Sequence, residues 1–284
     1  MKNRGNIIKI YSFERIITMA MKVALQLFTV RDEIENDIEG TLRKIKEIGY
    51  DGIETCHGSY GMDPVEFKDL CNDIGLEIVS VHVGTDAIIK ETEETLDFYK
   101  KLGPSHLAIM AFWGDYQYDE KDYANMIKRL DECGACFKEN GIQILYHNHS
   151  WEFKKIDGKY VLDLIIDDTT NDNLLPEIDV CWATIGHKDA ADYLRRYNGR
   201  CPLIHLKDFY SKENIRFGDE GYEKPGDFEF RPVGYGRVDM VNVLTAAEEI
   251  GAKWVIVEQD DPALGLTPIE CAALSRNWLK AQGV

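Results

Sequence analysis

Two histidines separated by one residue, His147 and His149, end a short apolar run that begins after Gly141. Side chains alternate between the two faces of a strand, so these two imidazoles are expected to point the same way. Neutral imidazole is a common ligand of divalent metals and also serves as an acid or base. Glu152 adds a carboxylate three residues further on. The pair therefore predicts either a metal-linked site or two hydrogen-bonded histidines at the end of a strand.

The same arrangement recurs along the chain, because polar side chains stand at the ends of most other apolar runs. These side chains are Glu54, His82, Asp179, His205, Lys207 and Glu258. Of the seven histidines, only His106 stands at the start of such a run. Histidines placed at random would not gather in this way. We therefore predict one functional site that is built from several segments of the chain.

Eight strand-like runs alternate with helix-like segments after residue 21. Apolar residues at helical spacing, such as Leu42, Ile45 and Ile48, indicate the helices, and Gly49 ends the first long one. This alternation is typical of the α/β class with a parallel sheet, and eight units in about 260 residues predict a single (β/α)8 TIM barrel. A doubly wound open sheet is the alternative, but the glycine-rich phosphate turn that usually follows its first strand is missing from the sequence.

In a (β/α)8 barrel the carboxyl ends of the strands meet at one mouth, where the active site is built. Strands five to eight would bring His147, Asp179, His205 and Glu258 to that mouth. Two imidazoles and two carboxylates suit a divalent metal ion with positions left open for substrate. We expect Mn²⁺ first, with Zn²⁺, Co²⁺ or Mg²⁺ as alternatives.

The composition is that of an ordinary globular protein of 284 residues, with a net charge of −17 and a pI of about 4.8. Residues 21–284 are predicted to form one catalytic barrel domain. Residues 1–20 are predicted to be an N-terminal extension, because Lys9, Glu14 and Arg15 interrupt what would otherwise resemble a signal peptide. Because such an acidic surface repels nucleic acid and anionic membranes, we expect neither as a partner.

The seven cysteines are odd in number and scattered along the chain. Cys133 and Cys136 have C-x-x-C spacing, but they fall in a helical pattern without a second pair, so we interpret them as helix thiols rather than a metal or redox site. Scattered unpaired thiols favour a reducing compartment, and we expect the protein to be cytoplasmic.

Four short motifs, YHNH, EIDVCW, IHLKD and VEQD, stand in this order at predicted strand ends. As a set they resemble the xylose-isomerase-like TIM-barrel group of sugar isomerases, epimerases and related lyases, and the resemblance extends from Met21 onward. In that group Glu, Asp, His and Glu from strands five to eight typically hold the metal. Asp179, His205 and Glu258 match those positions, whereas His147 stands where the epimerases usually have a glutamate.

The resemblance implies an enzyme that abstracts a proton next to a metal-bound carbonyl and forms an enediolate. We expect Lys207 and His149 to be its acid and base, because each lies two residues from a predicted ligand. Glu152 would orient His149 or take a proton itself. The predicted activity is isomerisation or epimerisation of a keto-sugar or cyclitol, and the resemblance also allows a homo-oligomer.

A lyase is the main alternative, either an inosose dehydratase-like enzyme or one that eliminates the aglycone of a 3-keto-glycoside. His147 stands where the epimerases usually have a glutamate, so the exchange of a proton between two carboxylates would lack one partner. This difference favours the lyase. A nuclease similar to endonuclease IV and a catalytically silent sugar-binding subunit are remote alternatives. The acidic composition disfavours the nuclease.

Other side chains near the predicted mouth are expected to bind the substrate. We predict this role for Glu54, His57, His82, Trp113 and Trp182, although the tryptophans could equally belong to the core. Lys224 and Arg231 lie on a long excursion after strand seven that could cover the site. Gly234 and Gly236 form a weak candidate for a phosphate-binding turn, so phosphorylated substrates are not expected.

Overall fold

The computed structural model of the chain describes residues 21–56, 58–90, 92–110, 120–170, 173–213, 215, 221 and 223–284. Eight parallel strands form a closed barrel in which each strand pairs with the next along the chain and the eighth pairs with the first. The barrel strands, numbered one to eight in chain order, are Lys22–Gln26, Gly52–Cys56, Glu77–Gly84, His106–Met110, Gln143–His147, Leu174–Asp179, Leu203–Leu206 and Trp254–Val257. The predicted single (β/α)8 TIM barrel is confirmed.

The helices among the described residues lie outside this barrel. Those of α type are Arg31–Asn36, Ile38–Ile48, Pro64–Ile74, Thr85–Ile89, Thr92–Leu102, Glu120–Glu139, Val161–Asp167, Val180–Ile185, Ala190–Arg196, Met240–Glu249 and Pro268–Gln282. Their ends follow from local sequence. Asp63 caps the helix that begins at Pro64, and Gly75, in the left-handed conformation with φ 84°, ends it. The cysteine pair Cys133 and Cys136 lies on Glu120–Glu139, as its helical pattern predicted.

The strands place alternate residues inside and outside the barrel. On strand five, Leu145 belongs to a small apolar cluster inside the barrel, whereas Ile144 and Tyr146 belong to the larger core shared with the helices. His147 lies two residues after Leu145 and therefore also points inside. The same alternation directs His205, two residues after the interior Leu203, into the barrel. The interior is thus apolar near the amino ends of the strands and polar near their carboxyl ends.

Two loops border the carboxyl end of the barrel beside strands seven and eight. After strand seven the chain forms a short antiparallel pair between Asp208–Tyr210 and Glu229–Arg231. After strand eight it runs through residues 259–266 before the last helix. The predicted extension, residues 1–20, lies outside the described residues. Among the residues that are described, no helix has both the length and the apolar character needed to cross a membrane.

Candidate metal centre and active site

The four predicted metal ligands meet at the carboxyl end of the barrel. His147, Asp179, His205 and Glu258 each offer one donor atom, and these atoms all lie within 4.8 Å of one another. All four side chains are buried. They come from the ends of strands five to eight, so the convergence follows from the barrel itself. Separations of this size allow all four residues to contact one ion.

Asp179 is fixed at the point where strand six becomes a helix. Its Oδ1 accepts a hydrogen bond of 2.9 Å from the backbone N–H of Trp182, which caps the helix Val180–Ile185. Its Oδ2 is buried and has no hydrogen-bond partner among the described residues. Burial raises the pKa of this carboxyl to about 7. A buried carboxylate oxygen without a partner is unfavourable in a protein, and a bound cation would satisfy it.

His205 is held from both sides by carboxylates. Its Nε2 lies 2.6 Å from Oε2 of Glu54, and its Nδ1 lies 3.1 Å from Oε2 of Glu258. Burial alone would lower the pKa of this imidazole, but Glu54 and Glu177 outweigh burial and raise it well above its ordinary value. With Nε2 against Glu54, Nδ1 is the nitrogen that faces Glu258. Metal-binding histidines are commonly oriented by such a carboxylate on the opposite nitrogen.

A second set of donor atoms shares two histidines with the first. His82, His147, Glu177 and His205 also place one donor each within 4.8 Å of the others. Glu177 was not among the predicted residues. It lies two residues before Asp179 on the same strand and therefore on the same interior face, so strand alternation would have indicated it. The two sets share His147 and His205 and differ in their other members, which are Asp179 and Glu258 in the first set and His82 and Glu177 in the second.

The His82 side of the cluster is an internal ionic network. The Nε2 atom of His82 lies 3.1 Å from Glu54 Oε2 and 3.3 Å from Glu177 Oε2. Burial would lower the pKa of His82, but Glu54 and Glu177 outweigh it and raise that pKa to about 10. Burial and the neighbouring Glu54 raise the pKa of Glu177 to about 7. Glu54 and His82, predicted to contact the substrate, therefore contact other side chains of the site directly.

Lys207 places a buried ammonium beside the predicted ligands. Its Nζ lies 3.0 Å from Oε2 of Glu258 and 2.7 Å from Oδ1 of Asp260. Burial would lower the pKa of Lys207, but Glu258 and Asp260 outweigh burial and raise it. Lys207 is therefore a proton carrier at the edge of the candidate metal centre. Asp260, its second partner, was not predicted as a site residue although it follows Glu258 by only two positions.

The imidazole of His149 lies two residues beyond the end of strand five. Burial and the nearby Lys207 lower its pKa to about 4, and its Nδ1 has no hydrogen-bond partner among the described residues. Glu152 is fully buried and accepts hydrogen bonds from the backbone N–H of His149 at 2.9 Å and from the hydroxyl of Tyr146 at 3.0 Å. Burial raises the pKa of Glu152 to about 8. Its observed contact with His149 is thus to the backbone.

Trp182 lies close to both His149 and Lys207. Its ring centroid is 5.6 Å from that of His149, and the Nζ atoms of Lys207 and Lys224 lie 5.3 and 4.8 Å from the ring centroid. The indole N–H has no hydrogen-bond partner among the described residues. The ring can therefore contact a substrate that reaches both His149 and Lys207. His57 and Trp113, two further predicted substrate-binding residues, lie outside the described residues.

The glycine turn considered as a phosphate site is already bound to a carboxylate of the chain. The backbone N–H groups of Gly234 and Gly236 donate to Oδ2 of Asp208 at 3.1 and 2.9 Å. The other oxygen of Asp208 accepts from the backbone N–H groups of Phe209 and Val238. These amides are occupied, so the turn does not offer them to a phosphate. Asp208 instead fixes the end of the long excursion next to Lys207.

The donor set is compatible with a divalent metal ion. Two imidazoles and two carboxylates are ligands that Mn²⁺, Zn²⁺ and Co²⁺ accept, and oxygen ligands also suit Mg²⁺. The unpartnered Oδ2 of Asp179 and the donor separations are what a bound ion would require. The carboxylate of Glu54 behind His205 would supply the orienting contact that metal-bound histidines usually have.

Comparison with known proteins places these features in a family. Residues 42–282 match the family described as xylose isomerase-like TIM barrel. An inosose dehydratase from Clostridium perfringens is 24% identical over 279 residues, which cover 87% of this chain and 90% of the relative. An inosose dehydratase from Lacticaseibacillus casei is 23% identical over 275 residues, with 87% and 90% covered.

Two solved structures share the barrel. A sugar phosphate isomerase/epimerase from Parabacteroides distasonis superposes with a TM-score of 0.75 at 24% identity, covering 94% of this chain and 96% of that one. The IOLI protein with a bound zinc atom superposes with a TM-score of 0.71 at 16% identity, covering 92% and 98%. At these identities the superpositions establish a common fold.

Proposed function

The chain belongs to the xylose isomerase-like TIM barrel family, and from that premise we propose that it removes the proton next to the carbonyl of a keto-sugar or keto-cyclitol with the help of a divalent metal. The chain is an enzyme of this family. The observation that carries the proposal is the ammonium of Lys207, 3.0 Å from the carboxylate of Glu258, at the edge of four converging donor groups.

We propose His147, Asp179, His205 and Glu258 as the metal ligands, and Mn²⁺ as the first choice of ion, with Zn²⁺, Co²⁺ or Mg²⁺ as alternatives. Such an ion, when bound, polarises a carbonyl group and so acidifies the neighbouring C–H bond. Glu54 supports the site by holding Nε2 of His205. Glu152 supports it by fixing the backbone of His149.

His149 and Lys207 are proposed to move the protons. Nδ1 of His149 has no partner among the described residues and so can accept the proton from carbon. Nζ of Lys207 carries a proton that it can donate to oxygen. Trp182 lies against both groups and would hold the ring of the substrate between them.

Elimination is the outcome we propose first. His149 takes the proton, the C–H electron pair becomes a C=C bond, the C–O bond at the next carbon breaks, and the leaving oxygen departs with the proton of Lys207. Burial, His205 and His82 hold the pKa of His147 well below its ordinary value. At this position the chain has an imidazole instead of the second carboxylate that symmetric proton exchange would use. The similarity to proteins named for removing water from an inosose supports the same choice.

Isomerisation or epimerisation of the same class of substrate is the second candidate. It uses the same abstraction of a proton and differs only in returning the proton to carbon. The shared barrel of a protein named sugar phosphate isomerase/epimerase favours keeping it. We further propose that the substrate is a small sugar or cyclitol, since a net charge of −17 disfavours nucleic acid and anionic membranes as partners. We also propose a cytoplasmic location, because seven free thiols favour a reducing compartment.

Product analysis tests this function. Metal-loaded protein is incubated with a 2-keto-inositol and with a 3-keto-glycoside, and the products are followed by NMR. Release of water or of the aglycone, with a new double bond, identifies elimination. A rearranged or inverted sugar without a released group identifies isomerisation or epimerisation. Unchanged substrates with fully loaded protein would overturn the proposal.

A further inference from the structure

A cavity of about 690 Å³ lies beside the candidate active site, between the loops that follow strands seven and eight. Residues 224–226 and 228–231 of the first loop form one side, and residues 261–265 of the second form the other. Its volume lies in the range of roughly 300–1,000 Å³ that is typical of sites for small organic ligands. None of the predicted metal ligands lines it, so a ring bound at the metal centre would leave it free.

The cavity shares a wall with the active site. Phe230 lines the cavity, and the centroid of its ring lies 5.3 Å from Nζ of Lys207 and 6.0 Å from the ring centroid of Trp182. Phe228 also lines the cavity and stacks on Trp182 at 6.1 Å with an interplanar angle of 10°. Phe228 and Phe230 therefore contact both the cavity and the ring of Trp182.

The lining is suited to a ring rather than to a phosphate. Phe228 and Phe230 present aromatic surface to it, and charged groups around it are largely paired, since Arg231 lies 2.6 Å from Glu229 and Asp261 lies 3.5 Å from Arg31. The ammonium of Lys224 lies 4.8 to 5.4 Å from the ring centroids of Trp182, Phe228 and Phe230. One exposed ammonium among aromatic rings can donate a hydrogen bond to a hydroxyl group of a stacked ring.

An unusual leucine stands on the opposite side. Leu264 lines the cavity, its side chain is 57% exposed, and its φ of 60° lies in the left-handed region. A leucine in that conformation is strained, and such strain concentrates at ligand-binding positions. An exposed apolar side chain held in this way gains a partner if a ring binds between it and the aromatic pair.

We propose that this cavity binds a second ring, joined through an acetal oxygen to the ring that reacts at the metal centre. The inference rests on the proposed function and narrows it, because the substrate is then a two-ring keto-glycoside rather than a free keto-sugar or cyclitol. Phe228, Phe230 and Lys224 contact the second ring from the loop after strand seven. Leu264 contacts it from the loop after strand eight.

Kinetics on two substrates test the proposal. Wild type and Leu264→Gly are compared on a 3-keto-glycoside with a phenyl aglycone and on its methyl counterpart. Glycine removes the side chain and relieves the backbone strain, so the variant is expected to fold. We expect KM for the phenyl substrate to rise about tenfold or more, as for other lost apolar contacts in pockets, and KM for the methyl substrate to stay within about twofold. Phe228→Ala should act in the same direction.

Tyr235→Ala serves as a matched control, because Tyr235 is an exposed aromatic residue on the same excursion that does not line the cavity. It should leave both KM values unchanged. Equal changes for the phenyl and methyl substrates in Leu264→Gly, or no change for either, would overturn the second-ring site.

A binding measurement separates this proposal from the proposed function. An ordinary phenyl glycoside, which lacks the carbonyl and cannot react, is titrated calorimetrically into wild type and Leu264→Gly. Weaker binding to the variant supports the second-ring site in the cavity. That conclusion holds even if neither keto-glycoside is turned over, because a lack of turnover would overturn only the proposed function. Equal binding to both proteins, or binding to neither, would overturn the cavity proposal.

Discussion

The Oε2 atom of Glu54 lies 2.6 Å from Nε2 of His205, on the side of the imidazole opposite to Glu258. Glu54 comes from strand two and His205 from strand seven, so the contact crosses the interior of the barrel. Both side chains are fully buried. This pair fixes which nitrogen of His205 faces the predicted ligands, and it makes Glu54 a positioning residue for the metal centre.

Removing the charge of Glu54 should weaken metal binding without removing a ligand. We expect Glu54→Gln to lower metal affinity by roughly 10- to 100-fold, as for other residues that orient metal-bound histidines. Calorimetric titration with Mn²⁺ and Zn²⁺ measures the effect. Glu77→Gln is the control, since Glu77 lies on the neighbouring strand but is exposed and pairs with Lys22. Unchanged affinity in Glu54→Gln would refute the positioning role.

Lys207→Met should separate metal binding from proton transfer. The methionine keeps much of the side-chain volume and removes the ammonium that lies beside Glu258 and Asp260. We expect the variant to keep its metal and to lose turnover by a factor of about 10² to 10⁴, the usual contribution of a general acid or base. Metal analysis and kcat are the readouts, and Lys22→Met at the opposite end of the barrel is the control. Near wild-type kcat in Lys207→Met would remove Lys207 from the mechanism.

Glu152 should make the stability of the protein depend on pH. Its folded pKa, raised by burial to about 8, lies above the value of about 4.3 expected in the unfolded chain. The protonated carboxyl therefore favours folding at low pH, and this contribution is lost as the pH rises from about 4 through 8. Glu152→Gln cannot titrate. We expect its free energy of unfolding, relative to wild type, to increase between about pH 5 and pH 8.

Urea unfolding of both proteins measures this difference in the free energy of unfolding. A chelator is present so that metal binding does not contribute to the measured stability. A difference between the two proteins that stays constant across this range would show that the carboxyl of Glu152 titrates normally.

Gly236→Ala should destabilise the loop that Asp208 holds. An added Cβ would collide with the carboxylate of Asp208 and with the carbonyl oxygen of Phe209. Neither can move freely, because the carboxylate accepts four backbone N–H groups. We expect a loss of about 2–4 kcal/mol in the free energy of unfolding, from overpacking and broken hydrogen bonds.

Thermal and urea unfolding measure the loss. Gly84→Ala is the control, because an added Cβ there meets nothing within 4 Å. Equal stability of Gly236→Ala and wild type would show that the Asp208 contacts contribute little.

Much of the barrel could be predicted from the sequence, because each strand and helix carries its own pattern and its own cap. The alternation rule that placed His147 inside the barrel also places Glu177 there, so this residue could have been predicted with the same reasoning. The four predicted ligands converge since a closed parallel barrel brings all strand ends to one mouth.

Contacts made by loops could not be predicted in the same way. Asp208 accepts hydrogen bonds from Gly234 and Gly236, which lie 26 and 28 residues away, and no local pattern sets the path of the chain between them. The pairing of Lys207 with Asp260 likewise depends on how the chain turns after strand eight. The cavity beside Leu264 forms between two such loops, so it appears only once their relative placement is known.

Metal content is the most direct test of the account. Purified protein is stripped with a chelator, dialysed against Mn²⁺, Zn²⁺, Co²⁺ or Mg²⁺, and analysed for bound metal beside Asp179→Asn and His205→Ala. Asparagine keeps an oxygen to cap the helix after strand six, so the first variant loses the carboxylate charge and little of the local structure. We predict one tightly bound ion per wild-type chain and none in either variant. A wild-type protein that retains no divalent ion, or variants that bind it as tightly as wild type, would contradict the proposed metal centre.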